Sequence, residues 1–170
     1  MHYSSMVKMG EFVAEHDLKG KTVVDIGSRD INGTYRELFP ESNYFGVDIV
    51  EGPNVDIIMD SKEWNELKNV DVVISGQTLE HVINVTKLMK SIWNVLKPGG
   101  IICIIAPSAG PMHEPPWTGN FSEARMRDVV SKAGFEVLSC TIHPVGPWHD
   151  NCCIAVKAKE NTTDDIAKNK

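Results

Sequence analysis

Four short runs of branched apolar residues set the tightest limit on how this chain can fold. They are Lys21 to Gly27 (K-T-V-V-D-I-G), Tyr44 to Val50, Val70 to Ser75 (V-D-V-V-I-S) and Ile101 to Ala106 (I-I-C-I-I-A). Each has the length of a strand, and the last is almost entirely apolar, as a central strand covered on both faces must be. Val55 to Met59, Glu136 to Ile142 and Cys152 to Lys159 read as further strands.

Helical spacing fills the intervals. Met6, Met9, Phe12 and Val13 mark a helix from Met6 to His16, and Val85, Leu88, Met89, Ile92 and Leu96 mark the clearest one, from Asn84 to Leu96. A short helix is predicted over Gly33 to Phe39, where Pro40 stops it, and a weaker one around Trp64 and Leu67. Ser122 is a good N-cap for a helix running to Gly134. Strand–helix alternation predicts an α/β fold: one doubly wound, mostly parallel sheet of about seven strands with helices on both faces. His143 to Asn151 is too short for a parallel crossover, so the C-terminal strand is expected to run antiparallel.

A chain of 170 residues suits one domain. The expected organisation is an N-terminal helix over residues 1–19 covering the ligand site, the alternating domain over 20–159, and a polar, disordered tail over 160–170. No apolar run approaches the roughly 20 residues needed to cross a bilayer. The N-terminus lacks a basic region followed by an apolar stretch, so the cytoplasm is the expected location. The net charge of −6, with no Lys/Arg stripe, argues against long nucleic acid as a partner and for a small or weakly charged one. Cys103, Cys140, Cys152 and Cys153 all fall in apolar runs and read as reduced, buried thiols. Neighbouring Cys152 and Cys153 point to opposite faces of a strand, so both cannot readily ligate one metal ion.

In open α/β sheets, ligands bind beyond the carboxyl ends of the strands. There the chain places Asp25-Ile26-Gly27-Ser28-Arg29-Asp30, Gly46-Val47-Asp48-Ile49, Met59-Asp60-Ser61 and Ser75-Gly76-Gln77. Gly27 lets backbone approach a ligand closely. Asp48 lies about twenty residues on, where a carboxylate can accept from both ribose hydroxyls.

Over roughly residues 20 to 157 the sequence resembles class I, Rossmann-like S-adenosylmethionine-dependent methyltransferases. V-V-D-I-G-S resembles their first motif, V-D-I at 47–49 the second, and D-V-V-I-S-G-Q-T-L-E-H-V at 71–82 the fourth-strand motif. L-K-P-G-G at 96–100 is similar to the family's turn before strand five. The resemblance implies S-adenosyl-L-methionine as cofactor. Asp25, Gly27 and Ser28 would surround its methionine part, Asp48 and Ile49 its ribose, and Asp60 and Ser61 its adenine, with Gly76 and Gln77 nearby.

One departure stands out. Arg29 and Ile31 occupy the second and third glycine positions of the family's G-x-G-x-G. Arg29, or backbone N–H groups near Ser28, can pair the cofactor carboxylate; alternatively Arg29 points to solvent. The same loop argues against NAD(P), whose pyrophosphate needs a close backbone cradle at a helix N-terminus.

Methyl transfer from a sulfonium is an in-line displacement, so the protein mainly aligns the acceptor and takes up a proton. Histidine is the first candidate for a base. His81, at the start of the helix after strand four, and His113, in the long Pro- and Trp-rich loop Pro107 to Gly119, are the candidate catalytic residues. Trp117, Phe121 and Trp148 are candidates to wall an acceptor pocket, and His149 and Asp150 to approach the same rim. Small-RNA 2′-O-methyltransferases place E-x-x-E-H after strand four to bind a divalent ion; Gln77 stands where their first Glu would be, so no metal is expected. The expected function is methylation at O or N of a small-molecule or sugar-like acceptor, by a monomer or homodimer. The alternatives are a nucleoside- or NAD(P)-binding module without turnover, and a methyltransferase acting on protein or nucleic acid.

Overall fold

In the computed structural model, which describes residues 3–112 and 114–159, the apolar runs become one seven-stranded sheet. Its strands are β1 (Thr22–Ile26), β2 (Asn43–Asp48), β3 (Ile57–Ile58), β4 (Val70–Gly76), β5 (Leu96–Pro107), β6 (Glu136–Ile142) and β7 (Asp150–Val156). They lie in the order β3-β2-β1-β4-β5-β7-β6. Pairings from β3 through β5 are parallel, while β7 slots between β5 and β6 and runs antiparallel to both. The strand order reverses between β1 and β4, and that switch point opens a crevice at their carboxyl ends.

Alternation along the central strands divides the core in two. Ile102 and Ile104 of β5 join Met89 and Ile92 of α3 (Val85–Val95) and Met126 and Val130 of α4 (Glu123–Lys132) on one face, with Trp64 of α2 (Lys62–Glu66). Cys103 and Ile105 face the other way, toward Met9 and Phe12 of α1 (Tyr3–Glu15). Cys152 and Cys153 separate likewise, one into each core, and all four thiols are free. The helix starts follow side-chain chemistry. Asn84 accepts from Lys87 N at 2.9 Å to begin α3, and Ser122 accepts from Arg125 N at 3.2 Å to begin α4. Among the described residues no helix is long and apolar enough to cross a membrane.

Several local expectations are corrected. The helix predicted over Gly33 to Phe39 is only a 3-10 turn, Arg36–Leu38. Gly33 at φ 125° breaks the segment on one side and Pro40 on the other, leaving too few residues to nucleate an α-helix. Glu80-His81 does not open the next helix; Leu79–His81 is a separate 3-10 turn ahead of the Asn84 cap. L-K-P-G-G is not a turn before β5 but a bulge within it. Val70 pairs Leu96 and Val72 pairs Ile101, so β5 spends five residues where β4 spends two. The bulge lies at the end of the sheet opposite the crevice, where Lys157 Nζ reaches Trp93 O at 2.7 Å and Leu96 O at 2.8 Å. β3 keeps only two residues of the expected Val55 to Met59, and the last strand begins earlier, at Asp150. The tail over 160–170 and His113 lie outside the described residues.

Candidate active site

The crevice holds a cavity of about 480 Å³. Asp25, Gly27, Ser28 and Arg29 line it from the end of β1, and Asp48 and Ile49 from the end of β2. Asp60 contributes from beyond β3, and Gly76, Gln77 and His81 from beyond β4. Ser61 does not line it: its hydroxyl accepts from Trp64 N at 3.2 Å and caps α2. Trp117, Phe121 and Trp148 are not among the lining residues either. Phe121 is wholly buried in the core under Arg125, Trp117 stands edge-on to His81, and Trp148 packs on Gly110.

α1 forms none of this wall; Tyr3 and Met6 instead flank an adjoining recess of about 350 Å³ that shares Asn32 and Gly33 with the cavity. Sequence reasoning passed over the near face of α3. Asn84, Lys87, Leu88 and Ser91 line the cavity at helical spacing, a signal visible in the sequence once that face is known to be wet. Lys87 Nζ lies 3.4 Å from Asp60 across the mouth.

Asp48 sits where the chain turns out of β2. Each of its carboxylate oxygens accepts one backbone N–H, Arg29 N to Oδ2 and Val50 N to Oδ1, both at 3.2 Å. A carboxylate oxygen accepts two bonds, so one site on each remains for a ligand diol. The neighbouring loop is pinned by Asn54 Nδ2 to Ser28 O at 2.8 Å and by Ser28 Oγ to Asn54 O at 3.1 Å. The aliphatic stem of Arg29 lies on Gly52, where a Cβ would come within 2.8 Å of Arg29 Cδ.

Deeper in, the site is rich in buried polar groups. Asp25 is buried and accepts the Tyr44 hydroxyl. Loss of hydration pushes its carboxyl up to about 7, with the Tyr44 bond and Arg36 opposing the rise. Glu80 is fully buried, neither of its oxygens accepts a hydrogen bond, and burial raises it also to about 7. Gln77 Oε1 is likewise buried without a partner. An unsatisfied buried acceptor costs about 1–3 kcal/mol, and of these two residues only Gln77 lines the cavity, where a donor would relieve that cost.

Raised carboxyl pKa values make stability depend on pH in a defined direction. Unfolded, Asp25 titrates at about 4; folded, it titrates at about 7. Between those values the native state holds the extra proton, so stability falls as pH rises through this window and levels off above it. Asp25→Asn is expected to flatten the fall and to melt above wild type at pH 8. Thermal unfolding at pH 5 and pH 8 checks this; equal slopes for the two proteins would show that Asp25 is charged when folded.

Comparison with known proteins adds a family. The model of a family described as a methyltransferase domain matches residues 4–139. No curated protein sequence matches. Among solved structures, a methyltransferase from Aquifex aeolicus, described as S-adenosylmethionine-dependent, is 17% identical with TM-score 0.66, covering 93% of this chain and 100% of that one. The Burkholderia thailandensis 1,6-didemethyltoxoflavin-N1-methyltransferase, solved with 1,6-didemethyltoxoflavin and S-adenosylhomocysteine, is 18% identical with TM-score 0.69, covering 91% and 78%. A chain from the Haloferax volcanii complex that contains the Trm112 methyltransferase activator is 16% identical with TM-score 0.66, covering 90% and 89%. At such identities the likeness to these structures is one of fold.

Proposed function

The chain belongs to the methyltransferase-domain family, and from that premise we propose that it transfers a methyl group from S-adenosylmethionine to O or N of a small-molecule or sugar-like acceptor. The observation that carries the cofactor reading is the shape of the crevice after β1. Gly27 leads into an open loop, and among the described residues no α-helix begins before Lys62 on this side of β1. A dinucleotide pyrophosphate would therefore find no helix N-terminus there, whereas Asp48 remains well placed for a ribose diol. A sulfonium nucleoside, which has no phosphate, suits that donor set.

When bound, S-adenosylmethionine supplies an already activated methyl group. The residues of this chain then have three tasks. Asp48 would hold the ribose through its two free acceptor sites, and Asp25, Gly27 and Ser28 would flank the methionine part. The cavity walls would orient the acceptor toward the transferable methyl group, which is the larger part of the catalysis. His81 takes the acceptor proton. Its Nδ1 lies 2.9 Å from the Pro116 carbonyl, an acceptor only, so Nδ1 carries the hydrogen and Nε2 the lone pair in the neutral ring. Glu80 Oε1 lies 3.8 Å from Nε2. We place the reaction in the cytoplasm, where four buried free cysteines are at home.

Thermal unfolding tests the cofactor. S-adenosylhomocysteine about a hundredfold above its Kd is expected to stabilise by about 2.7 kcal/mol, a rise of about 5–10 °C for a chain of this size. A rise with NAD and none with S-adenosylhomocysteine overturns the reading. His81→Asn is expected to retain that rise and lose methyl transfer to the acceptor found by screening metabolites with labelled cofactor.

A further inference from the structure

Asp150 opens β7 and is completely buried, yet no part of the proposed chemistry uses it. Its two oxygens serve segments far apart in the chain. Oδ1 accepts from Gln77 Nε2 at 2.8 Å, and Oδ2 accepts the hydroxyl of Ser4 in the first turn of α1. A carboxylate only accepts, so the Gln77 amide must present its NH2 group to Asp150 and turn its carbonyl oxygen away. That oxygen is the buried Oε1 without a partner, on a residue that lines the cavity at the end of β4. The Gln77 backbone leaves the side chain little choice of position: φ is 57° and its N–H donates to Ile105 O at 2.9 Å.

We propose that Asp150 is a positioning residue, which aims the Gln77 carbonyl oxygen as an acceptor for an ammonium group of the ligand and, through Ser4, makes the seating of α1 part of that site. An amide oxygen is satisfied by an N–H or O–H donor, and an ammonium is the strongest such donor. This rests on the reading of the ligand as an amino-acid-bearing sulfonium nucleoside. It assigns the N-terminal helix a role that the cavity wall alone does not show, because no residue of α1 lines the cavity while Ser4 meets the carboxylate that holds Gln77. A neutral Asn at 150 can accept from one of the two donors but not from both, so the Gln77 amide loses its fixed orientation.

Isothermal titration of the full chain with two probes tests the relay. S-adenosylhomocysteine carries the ammonium; 5′-deoxy-5′-methylthioadenosine keeps the nucleoside and sulfur but lacks it. Asp150→Asn and Gln77→Ala are each expected to weaken S-adenosylhomocysteine about tenfold and to leave methylthioadenosine unchanged. The double variant should be no weaker than Gln77→Ala alone, since Asp150 acts through Gln77. Ser4→Ala, a minimal change, should weaken S-adenosylhomocysteine about threefold and decides the matter should Asp150→Asn fail to fold. Equal losses for both probes, or additive losses in the double variant, make Asp150 merely structural and overturn the proposal alone. No binding of S-adenosylhomocysteine by the wild type overturns the ligand reading, and this inference with it.

Discussion

Asp48→Ala is expected to weaken S-adenosylhomocysteine binding about a hundredfold, the largest loss of affinity from any single side chain in the site. Hydrogen bonds to a charged acceptor contribute about 1.5–3 kcal/mol each, and Asp48 has one free acceptor site on each oxygen for a ribose diol. Losing both corresponds to about two or more factors of ten, given that 1.4 kcal/mol is about one factor of ten. The same carboxylate also ties Arg29 N and Val50 N, so the alanine variant loosens the loops on either side of the ligand. Asp48→Asn separates the two contributions. It fills the same space, but its NH2 group must face either a backbone N–H or a ribose hydroxyl, so an intermediate loss is expected. Titration calorimetry checks both variants, and affinity within about threefold of wild type for Asp48→Ala would place the ribose elsewhere.

Gly46→Ala is expected to cause the largest loss of stability of any single added methyl group. A Cβ at this position of β2 would lie 1.8 Å from the Asn54 backbone oxygen and 2.6 Å from Ser28 Oγ. Backbone cannot swing aside as a side chain can. The loop is held against β2 by Asp56 N to Gly46 O at 2.8 Å, by Gly46 N to Asp56 Oδ2 at 2.7 Å, and by the Arg36–Asp56 ion pair. Overpacking of this kind costs about 3 kcal/mol at the upper end of its common range, which lowers the melting temperature by about 6–12 °C. Because the displaced loop starts at Asp48, ligand affinity should fall as well. Gly10, in the middle of α1, is the control. A Cβ there meets nothing within 4 Å, so Gly10→Ala should stabilise by about 0.5–1 kcal/mol. A Gly46→Ala protein that melts like wild type would mean that the loop moves without resistance.

Much of this architecture is legible in the order of residues. The apolar run I-I-C-I-I-A became the core of β5, the Asn84 and Ser122 caps start the predicted helices, and the short link before β7 left only an antiparallel return. The strand-end acids and glycines of the first, second and fourth motifs converge on one cavity for the reason that a parallel sheet aligns its carboxyl ends. L-K-P-G-G, the most specific resemblance, belongs to the far end of the sheet. There Gly100 tolerates no side chain, since a Cβ would lie 2.9 Å from Lys97 O. It marks the fold, and it says nothing about the ligand.

Sequence by itself determined the central strands, their mostly parallel order, the caps that start α3 and α4 and the strand-end residues that line the cavity, because apolar periodicity, capping and turn chemistry act between neighbours in the chain. Only the tertiary structure decided which polar atoms are paired and which are left waiting. Asp150 meets Ser4 across 146 residues and Gln77 across 73; Tyr44 closes over Asp25; Glu80 is sealed from water beside His81. Such pairings depend on which loops converge once the sheet is wound, and on how far each group is taken out of water. Neither burial nor long-range hydrogen bonding leaves a periodic trace in the sequence, and those two quantities set the pKa values of Asp25 and Glu80 and the orientation of Gln77.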